Sequence, residues 1–590
     1  MRLVFDIETD GFLNKLTKIH CIAIMNADDP SQTWAFGPDE IGEGIKILEG
    51  ATELIAHNGQ AFDILAIQKL YPSFNTDNQI VTDTLVMSRL MKPALKDEDF
   101  KKIFTKQIAM PKQLSGSHSL EAWGYRLGIM KGDFAKTADW SVWTPQMMAY
   151  CEQDVRVNHA LWKALASEKW PEEPVRFEHD VNELCVRIGN AGWTFDVEKA
   201  SKLYASLTFE RAALAADLND LFPAWTIEEE FIPKVNNSRL GYVKGEPFIK
   251  RREVRFNPNS RKHIERCLRE KYGWKPKEHT PSGDAKIDES VLGQLPYPEA
   301  QKLARSFMLQ KRLGMLAEGN NAWLKLVDTD GKLRHTINSL GTVSHRCSSF
   351  APNLQQVPAT GAEFGRECRE LFTVPPGYHL LGVDLSGIEL RCLAHFLPDG
   401  GAYGRHILEG DIHQVNADAA GISRPEAKTM IYALCYNAGN QRLGEILGKG
   451  AAEGRELRER FYEANPAFPT LLRQVKAAAQ RGYLYGLDGR KLHLRSEHGA
   501  LNLLLQSSAA LIAKKWALLV DQEIKRQQLD AEIIAFVHDE LQLKIRGDED
   551  VRNHIARTSA ECAEKAGEYF KFKVPIGAEF KIGLNWADCH

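Results

Sequence analysis

Hydrophobic and polar residues alternate at the start of the chain, where "RLVFDIETDG" occupies residues 2–11. This period of two predicts a β-strand in which Val4, Asp6 and Glu8 share one face and the intervening apolar side chains share the other. Two carboxylates on one strand face repel each other, and a divalent cation between them would remove that penalty. The pattern indicates either a metal site or an exposed acidic strand face, and the strand alone leaves both readings open.

A second strand pattern occurs at residues 379–396, "HLLGVDLSGIELRCLAHF", where an apolar strand gives way to helical spacing. Asp384 lies at the end of that strand, where a carboxylate can face a ligand or cap the following helix. Residues 532–545, "EIIAFVHDELQLKI", place His538, Asp539 and Glu540 between two apolar runs. They predict a hairpin whose charged triplet is either a simple turn or the source of a metal-binding carboxylate. If this hairpin pairs with the strand that carries Asp384, Asp539 can meet Asp384.

A helix is predicted to start within "ISRPEAKTMIYALCYNAG" (residues 422–439), because Ser423 and Glu426 form a capping-box pattern there. Two cations and two aromatic rings then recur every four residues along one face. These residues are Arg424, Lys428, Tyr432 and Tyr436. The stripe fits a ligand with phosphates at one end and a flat base at the other, or a solvent-facing helix with partly buried tyrosines.

Two other segments near the N-terminus carry candidate site residues. "IAHNGQAFDILAIQKL" (residues 55–70) has Asn58 and Asp63 where an apolar start passes into an amphipathic segment. "MMAYCEQDVRVNHALWKAL" (residues 147–165) is helix-like and carries Tyr150 and Asp154. Because these two residues are four positions apart, both can face one site from a helix.

Length and composition indicate an ordinary globular protein of several domains. The chain has 590 residues, 44% hydrophobic and 26% charged, and this length predicts about four units. We find no run of about 18 apolar residues and no signal-peptide character at the start, so we expect a cytosolic protein that does not span a membrane. The ten cysteines lack CxxC pairs and zinc-finger spacing, which indicates neither disulfides nor zinc. The net charge of −3 neither favours nor excludes a nucleic-acid partner.

Two stretches are candidate domain seams: residues 167–180, which are charged and contain two prolines, and residues 222–258, which mix turn residues with the basic run "FIKRREVRF". Basic residues interleaved with aromatics can bind nucleic acid, but for so short a run we favour a solvated loop.

The order of the N-terminal motifs resembles the DEDD exonuclease superfamily: DxE at 6–8, NxxxFD at 58–63 and YxxxD at 150–154. This resemblance implies an RNase H-like 3′–5′ exonuclease domain in which Asp6, Glu8, Asp63 and Asp154 hold two metal ions. It also implies that Tyr150 orients the attacking water. Ala149 stands where the sister branch has a histidine, which indicates the tyrosine branch.

The C-terminal motifs resemble motifs A, B and C of family A DNA polymerases: "DLSGIELR" at 384–391, "RPEAKTMIYALCYNAG" at 424–439 and "VHDE" at 537–540. Supporting similarities are "RCSSFAPNLQQVP" (346–358), "GDIHQ" (410–414), "GLDGRKLHLRSEHGALNLLLQS" (486–507) and "GLNWADCH" (583–590). The chain resembles the replicative polymerases of podovirus-type bacteriophages more than it resembles bacterial DNA polymerase I. We do not expect the 5′ nuclease domain of bacterial DNA polymerase I here, because its residues would have to precede Met1.

The resemblance implies a multidomain α/β and α+β chain, with an exonuclease domain followed by a right hand of thumb, palm and fingers. We expect the exonuclease domain at 1–175 and the linker and thumb at 176–355, with a shortened insertion region at 222–258. The palm is expected at 356–405 and 496–590, on either side of the fingers at 406–495.

The same resemblance assigns roles in the polymerase site. Asp384 and Asp539 would bind two Mg²⁺ ions, for which Mn²⁺ could substitute, with the Leu385 carbonyl completing one shell and Glu540 assisting. The predicted nucleotide-binding residues are Arg424, Lys428, Tyr432, Glu389, His413 and Leu385, of which Lys428 is also assigned to catalysis. The predicted DNA-binding residues are Tyr436, Arg346, Asn502, Gln506 and His538.

The chain departs from the family pattern at two places. Many relatives read T-G-R where this chain has Ser344-His345-Arg346, and many have glycine in place of Ala433 and Asn437. A side chain at 437 would lie beside the presumed template base and predicts an unusual template or nucleotide preference.

The resemblance also implies partners. We expect a monomer that binds primer-template DNA and dNTPs in the cytoplasm of an infected bacterial host, with a phage helicase-primase or single-stranded-DNA-binding protein as candidate partners. Thioredoxin dependence is not expected, because the region 222–258 is short. The alternatives are an exonuclease with a DNA-binding module that does not synthesise DNA, and a single-subunit RNA polymerase.

Overall fold

The computed structural model describes residues 1–130, 132, 134, 137–280 and 282–590. The chain forms two compact units. The first comprises residues 1–193, 334–356 and 374–590, and the second comprises residues 194–333 and 357–373. The predicted seam at 167–180 therefore falls inside the first unit, and the predicted domain boundaries remain a prediction.

A five-stranded mixed sheet organises the N-terminal part of the first unit, in the order β3-β2-β1-β4-β5. Its strands are β1 (Arg2–Thr9), β2 (Ile19–Asn26), β3 (Thr33–Phe36), β4 (Glu53–Ala56) and β5 (Ile80–Asp83). Strands β1, β2 and β3 pair antiparallel, and β1, β4 and β5 pair parallel. The alternation predicted for β1 is confirmed, because Val4 packs in one hydrophobic core, whereas Leu3 and Phe5 pack in the core on the opposite face.

Helices cover both faces of this sheet and lead into the rest of the chain. They are α1 (Ile41–Glu49), α2 (Asp63–Leu70), α3 (Thr84–Met91), α4 (Leu95–Phe104), α5 (Leu120–Leu127), α6 (Pro145–Ala166) and α7 (Glu172–Ala191). The core on the Val4 face includes side chains from α3 and α6, and the core on the other face includes side chains from α1 and α2.

The second unit is mainly helical, with a small sheet in the order β12-β6-β9 and a separate hairpin. Its elements, with those that follow up to residue 373, are β6 (Trp193–Phe195), α8 (Val197–Leu221), β7 (Trp225–Phe231), β8 (Phe248–Val254), α9 (Arg261–Tyr272), α10 (Glu289–Gly293), α11 (Pro298–Leu313), α12 (Trp323–Leu326), β9 (Lys332–Leu333), β10 (Thr336–Asn338), β11 (Ser348–Phe350), α13 (Gly365–Arg369) and β12 (Phe372–Thr373). Strands β10 and β11 belong to the first unit.

The loop predicted within residues 222–258 is wrong, because β7 and β8 form an antiparallel hairpin there. Cross-strand charge pairing explains the difference: Arg251 Nε donates to Glu228 Oε1 at 2.8 Å. The Lys250 ammonium lies 3.8 Å from the centroid of the Phe231 ring, so aromatic and basic residues pair across the strands.

A four-stranded antiparallel sheet organises the C-terminal part of the first unit, in the order β16-β17-β13-β18. Its strands are β13 (His379–Leu385), β16 (Ala531–Val537), β17 (Glu540–Ile545) and β18 (Ala578–Gly583). The remaining elements are α14 (Ile388–Phe396), α15 (Ala402–Glu409), α16 (Ile412–Ala420), α17 (Arg424–Cys435), α18 (Asn440–Ile446), α19 (Ala451–Ala464), α20 (Ala467–Ala479), β14 (Tyr483–Tyr485), β15 (Lys491–His493), α21 (Ala500–Arg526) and α22 (Glu549–Tyr569).

Among the described residues, one helical stretch, Glu497–Arg526, has the length and mean hydropathy (1.4) of a membrane span. This is weak evidence for a span, because 83% of its apolar window is buried inside the protein and a core helix meets the same criteria.

Candidate functional site

Four acidic side chains converge on the N-terminal sheet, and we call them the N-terminal acidic site: Asp6, Glu8, Asp63 and Asp154. Strand β1 supplies the first two on one face. Their carboxylate oxygens and the Cys151 sulfur on α6 lie within 4.8 Å of one another. Cys151 Sγ donates to the Asp6 carbonyl oxygen at 3.3 Å. Because burial raises the pKa of the Cys151 thiol, it stays protonated and braces the strand.

Asp63 and Asp154 approach the same strand from two helices. Asp63 begins α2, is 3% exposed, and accepts a hydrogen bond from the Ile7 amide at 3.3 Å. Burial, followed by the charges of Asp83 and Asp154, raises the pKa of Asp63 to about 7. Such crowding of buried carboxylates is relieved by a divalent cation, and oxygen donors suit a hard ion such as Mg²⁺.

Tyr150 lies one helical turn before Asp154 on α6 and is 9% exposed. Its ring packs against Phe134, with centroids 5.6 Å apart, and against Trp140, with centroids 6.2 Å apart. Ring packing thus fixes Tyr150 on α6, one helical turn from the Asp154 carboxylate of the N-terminal acidic site.

The second candidate site lies at the end of β13. Asp384 is directly opposite Glu540 in the register of β13 with β17, and the Leu385 amide donates to the Asp539 carbonyl oxygen at 3.0 Å. His538 and Asp539 form the turn between β16 and β17, with His538 in the left-handed region at φ 60°. Both the predicted hairpin and its pairing with the strand that carries Asp384, β13, are confirmed. We call Asp384 and Asp539 the C-terminal acidic pair.

Like charges crowd this pair. Partial burial, followed by the charges of Asp539, Glu540 and Glu579, raises the pKa of Asp384 to about 7. Burial is also the main cause of the raised pKa of Asp539. The two carboxylates are oxygen donors of the kind that a hard divalent cation prefers.

Glu540 differs from the pair because its carboxylate is already engaged. Its Oε1 accepts from Trp586 Nε1 at 2.7 Å, lies 2.9 Å from His590 Nε2, and also accepts from Gln542. Although burial opposes ionisation, these partners hold the pKa of Glu540 below its ordinary value. This geometry favours a supporting role for Glu540.

Cationic and aromatic side chains of α16 and α17 gather beside one another. Helix α17 begins with the predicted capping box, in which the Ser423 amide donates to Glu426 Oε2 at 2.8 Å. Arg424 pairs with Asp411, the N-cap of α16. Burial, then the Lys428 charge, lowers the pKa of His413. Arg424 and Lys428 therefore supply the positive charge at this end of the two helices, and such cations suit phosphate groups.

Tyr432 connects this cationic region with the acidic pair. Its ring centroid lies 6.4 Å from that of His413. Burial first, and then the charges of Glu389, Asp539 and other neighbours, raise the pKa of Tyr432. Glu389 Oε1 in turn accepts from Arg346 Nη2 at 2.7 Å. The family resemblance implied site roles for both residues but did not predict this ion pair.

Two protein-family models match this chain. The model of DNA polymerase family A matches residues 243–588, and the model of the RNase_H superfamily matches residues 3–166. The chain belongs to DNA polymerase family A.

Similar family A proteins come from phages and bacteria. The chain is 33% identical to the DNA-directed DNA polymerase of Enterobacteria phage T3 and 32% identical to that of Escherichia phage T7, and each alignment covers 100% of both chains. It is 28% identical to DNA polymerase I of Pseudomonas aeruginosa over 57% of this chain and 39% of that one. The T3 alignment spans 714 positions against 590 residues here, so it opens gaps in this chain.

A solved structure shows the same fold: the POL domain of Pol1 from M. smegmatis, in complex with DNA primer-template and dNTP. The TM-score is 0.75 at 20% identity, over 100% of this chain and 96% of that one. The predicted family and the predicted order of an RNase H-like domain followed by a polymerase domain are confirmed. The roles assigned to individual site residues stay predictions.

The remaining DNA-binding candidates of this family A polymerase lie where α17 ends and α21 begins. Gln506 Nε2 donates to the Tyr436 hydroxyl at 3.3 Å, and Asn502 lies one turn earlier on α21. Asn437 has φ 55°, and its side-chain amide donates to the His498 carbonyl at 3.2 Å. Asn437 and His498 also line a cavity of about 360 Å³.

Sequence patterns missed two residues beside the N-terminal acidic site. Asp83 is 1% exposed, caps α3 by accepting from the Leu85 amide at 2.9 Å, and also accepts from the Asn58 amide at 2.9 Å. The stretch "TDTL" at 82–85, with an aspartate between a strand and a helix, was an available N-cap signal.

Arg89 is the second missed residue. It lines an open cleft of about 680 Å³ together with Asp6 and Asp154. Within the described part of the chain, its guanidinium has no hydrogen-bond or ion-pair partner, and burial lowers its pKa. A desolvated cation in an acidic cleft suits an anionic ligand such as a phosphodiester. Its position at the end of α3 gave no sequence signal.

Proposed function

We propose that this chain is a DNA-directed DNA polymerase that extends the 3′ end of a primer on a DNA template and proofreads by 3′–5′ hydrolysis. The observation that carries the proposal is the register of β13 with β17, which brings the C-terminal acidic pair together within electrostatic reach of α17. In synthesis, the primer 3′ oxygen bonds to the α-phosphorus of the nucleotide. The bond from that phosphorus to the oxygen that bridges the α- and β-phosphates breaks, pyrophosphate leaves, and the proton of the primer hydroxyl passes to solvent.

Asp384, Asp539 and the Leu385 carbonyl would hold two Mg²⁺ ions, for which Mn²⁺ could substitute. When bound, these ions lower the pKa of the primer hydroxyl and neutralise the triphosphate. Glu540 supports the site through its buried hydrogen bonds rather than as a main ligand.

The nucleotide binds along α17. Arg424, Lys428 and His413 bind its phosphates, a role supported by their clustering at the helix start. Glu389 and Tyr432 close the space beside the sugar 2′ carbon and exclude a ribonucleotide hydroxyl, which is supported by their electrostatic contact.

Primer and template bind on the other side of the nucleotide. Tyr436 stacks near the template base, and Gln506 and Asn502 sample the minor groove of the new pair. Arg346 and His538 contact the primer strand. Support comes from the Tyr436–Gln506 hydrogen bond and from the charge of Arg346, which contributes to lowering the pKa of His538 after burial.

The N-terminal acidic site would hold two further Mg²⁺ ions and hydrolyse the 3′-terminal phosphodiester. Tyr150 orients the attacking water toward the phosphorus, and the departing 3′ oxygen remains with the shortened strand. Support comes from the close approach of Asp6 and Glu8, from the electrostatic interaction of Asp63 with Asp154, and from the cleft that Asp6 and Asp154 line.

We also propose that the protein acts as a monomer in the cytoplasm of an infected bacterial cell, with a phage helicase-primase or single-stranded-DNA-binding protein as candidate partners. Thioredoxin is not an expected partner, since residues 222–258 hold only a short hairpin.

The decisive experiment is primer extension with dNTPs or rNTPs by wild type, Asp539→Ala and Asp6→Ala. Wild type and Asp6→Ala should extend with dNTPs, Asp539→Ala should not, and Asp6→Ala should lose 3′ degradation. Extension with rNTPs alone would indicate an RNA polymerase. Degradation by wild type without extension would indicate an exonuclease joined to a binding module.

A further inference from the structure

The turn that carries Arg346 is tightly built. The His345 amide donates to the Thr342 carbonyl at 3.0 Å, and the Arg346 amide donates to Thr342 Oγ1 at 3.0 Å. The Gly341 amide donates to the Arg346 carbonyl at 3.1 Å and closes the turn. His345 takes φ 60°, a left-handed conformation that is uncommon for residues with a Cβ.

The ring of His345 is buried beneath this turn, with 1% of the residue exposed. Its Nδ1 lies 3.2 Å from Arg490 Nη1. Burial, together with the charges of Arg490 and Lys514, lowers the pKa of His345 well below its ordinary value. The ring is therefore neutral, and Nδ1 accepts the hydrogen bond from the guanidinium.

Arg490 is itself fixed by buried charges, which we call the buried charge cluster: Glu178, Asp488, Arg490 and Lys514. Arg490 Nη1 lies 2.5 Å from Glu178 Oε1, and its Nη2 lies 2.7 Å from Asp488 Oδ2. Lys514 Nζ lies 2.8 Å from both Glu178 oxygens. Two cations balance two carboxylates, and helices α7 and α21 both contribute, so the base under His345 is rigid.

The residue after His345 reaches the polymerase site. Arg346 donates to Glu389 at 2.7 Å, and its positive charge helps to lower the pKa of His538 after burial. Arg346 is thus one peptide away from a ring anchored in the buried charge cluster.

We propose that His345 is a positioning residue, whose ring, anchored on Arg490, fixes the turn that presents Arg346 to Glu389 and the primer terminus. This inference rests on the proposed function of Arg346. A glycine at this position could adopt the turn without a side chain. Here the anchored ring adds a direct connection between the buried charge cluster and the site.

The test is a double-mutant cycle in steady-state primer extension with His345→Gly, Arg346→Ala and the double variant. Glycine keeps the left-handed backbone and removes only the ring. We expect His345→Gly to raise KM for primer-template about fivefold with a smaller change in kcat. The double variant should match Arg346→Ala within about twofold, because the ring acts through Arg346.

His345→Asn serves as the conservative variant, since asparagine tolerates positive φ and offers an acceptor to Arg490. It should recover part of the KM change, and it replaces His345→Gly in the cycle if the glycine variant does not fold. His335→Ala is the matched control, because His335 is a buried histidine of the same segment at 5% exposure. Its effect should be independent of Arg346.

Independent, multiplying effects of His345→Gly and Arg346→Ala would overturn this inference while leaving the polymerase assignment intact. Normal extension by Arg346→Ala would overturn both the inference and the role of Arg346. No primer extension by wild type would instead refute the proposed function itself.

Discussion

Replacing Glu178 by glutamine should destabilise the protein strongly, because that carboxylate is the shared partner of two buried cations. Glu178 and Arg490 have fully buried side chains, and the Lys514 side chain is 1% exposed. In Glu178→Gln the side-chain volume is kept, but two cations are left with Asp488 as the one carboxylate of the buried charge cluster.

The magnitude follows from the buried positions. Removing one partner of a buried ion pair costs about 3–5 kcal/mol, because the remaining charge keeps its desolvation penalty. With a urea slope of about 3 kcal/mol per M, the unfolding midpoint should fall by about 1–2 M. Replacing exposed Glu183 on the same helix, whose side chain is 62% exposed, should cost less than about 0.5 kcal/mol.

The assay is equilibrium urea unfolding followed by tryptophan fluorescence, since Trp516 is fully buried two residues from Lys514. A second variant, Glu178→Gln with Lys514→Met, removes one cation and leaves Arg490 balanced by Asp488. It should be more stable than Glu178→Gln alone. A midpoint shift below about 0.3 M for the single variant, or a double variant that is no more stable, would refute the charge-balance reasoning.

Four further predictions concern the two sites. In metal-free protein the pKa of Asp384 is raised to about 7, so the stability that its protonated form contributes is present below the ordinary pKa and is lost as pH rises through 7. Mg²⁺ should therefore raise the melting temperature more at about pH 8 than at about pH 5. In Asp384→Asn, Mg²⁺ should raise the melting temperature less than in wild type. Arg89→Gln should raise KM for single-stranded DNA in 3′ hydrolysis about tenfold. The control Lys102→Gln, on the exposed surface of α4, should leave KM unchanged. Equal KM values for Arg89→Gln and wild type would contradict a role for Arg89 in binding phosphate. Asn437→Gly should change nucleotide selectivity in single-nucleotide insertion assays, and unchanged efficiency and selectivity would remove that hypothesis. Wild type should discriminate weakly between deoxy- and dideoxynucleotides because of Tyr432, and strong discrimination in a competition assay would contradict this.

Local patterns predicted both members of the C-terminal acidic pair because each lies at a junction that its own segment specifies. Asp384 ends an apolar strand, and Asp539 separates two apolar runs, so strand period alone indicates where each carboxylate emerges. Asp384 and Asp539 lie close together only because β13 pairs with β17. From the sequence, that strand pairing could be stated only as a condition.

The β7–β8 hairpin was missed for the opposite reason. Each strand carries a run of consecutive charged residues and has no buried side chain, so neither shows the alternation that predicts a strand. Cross-strand contacts such as Glu228–Arg251 stabilise it, and these exist only once the two strands are in register.

The buried charge cluster could not be predicted from the sequence, because its members are far apart along the chain. Glu178 is 312 residues from Arg490 and 336 residues from Lys514. With 75 lysines and arginines and 78 acidic residues in the chain, no local pattern selects these partners. Burial selects them, since each charge is tolerated in the interior only in the presence of the others. Charge balance therefore constrains these distant positions jointly, and through His345 that constraint extends to the turn that carries Arg346.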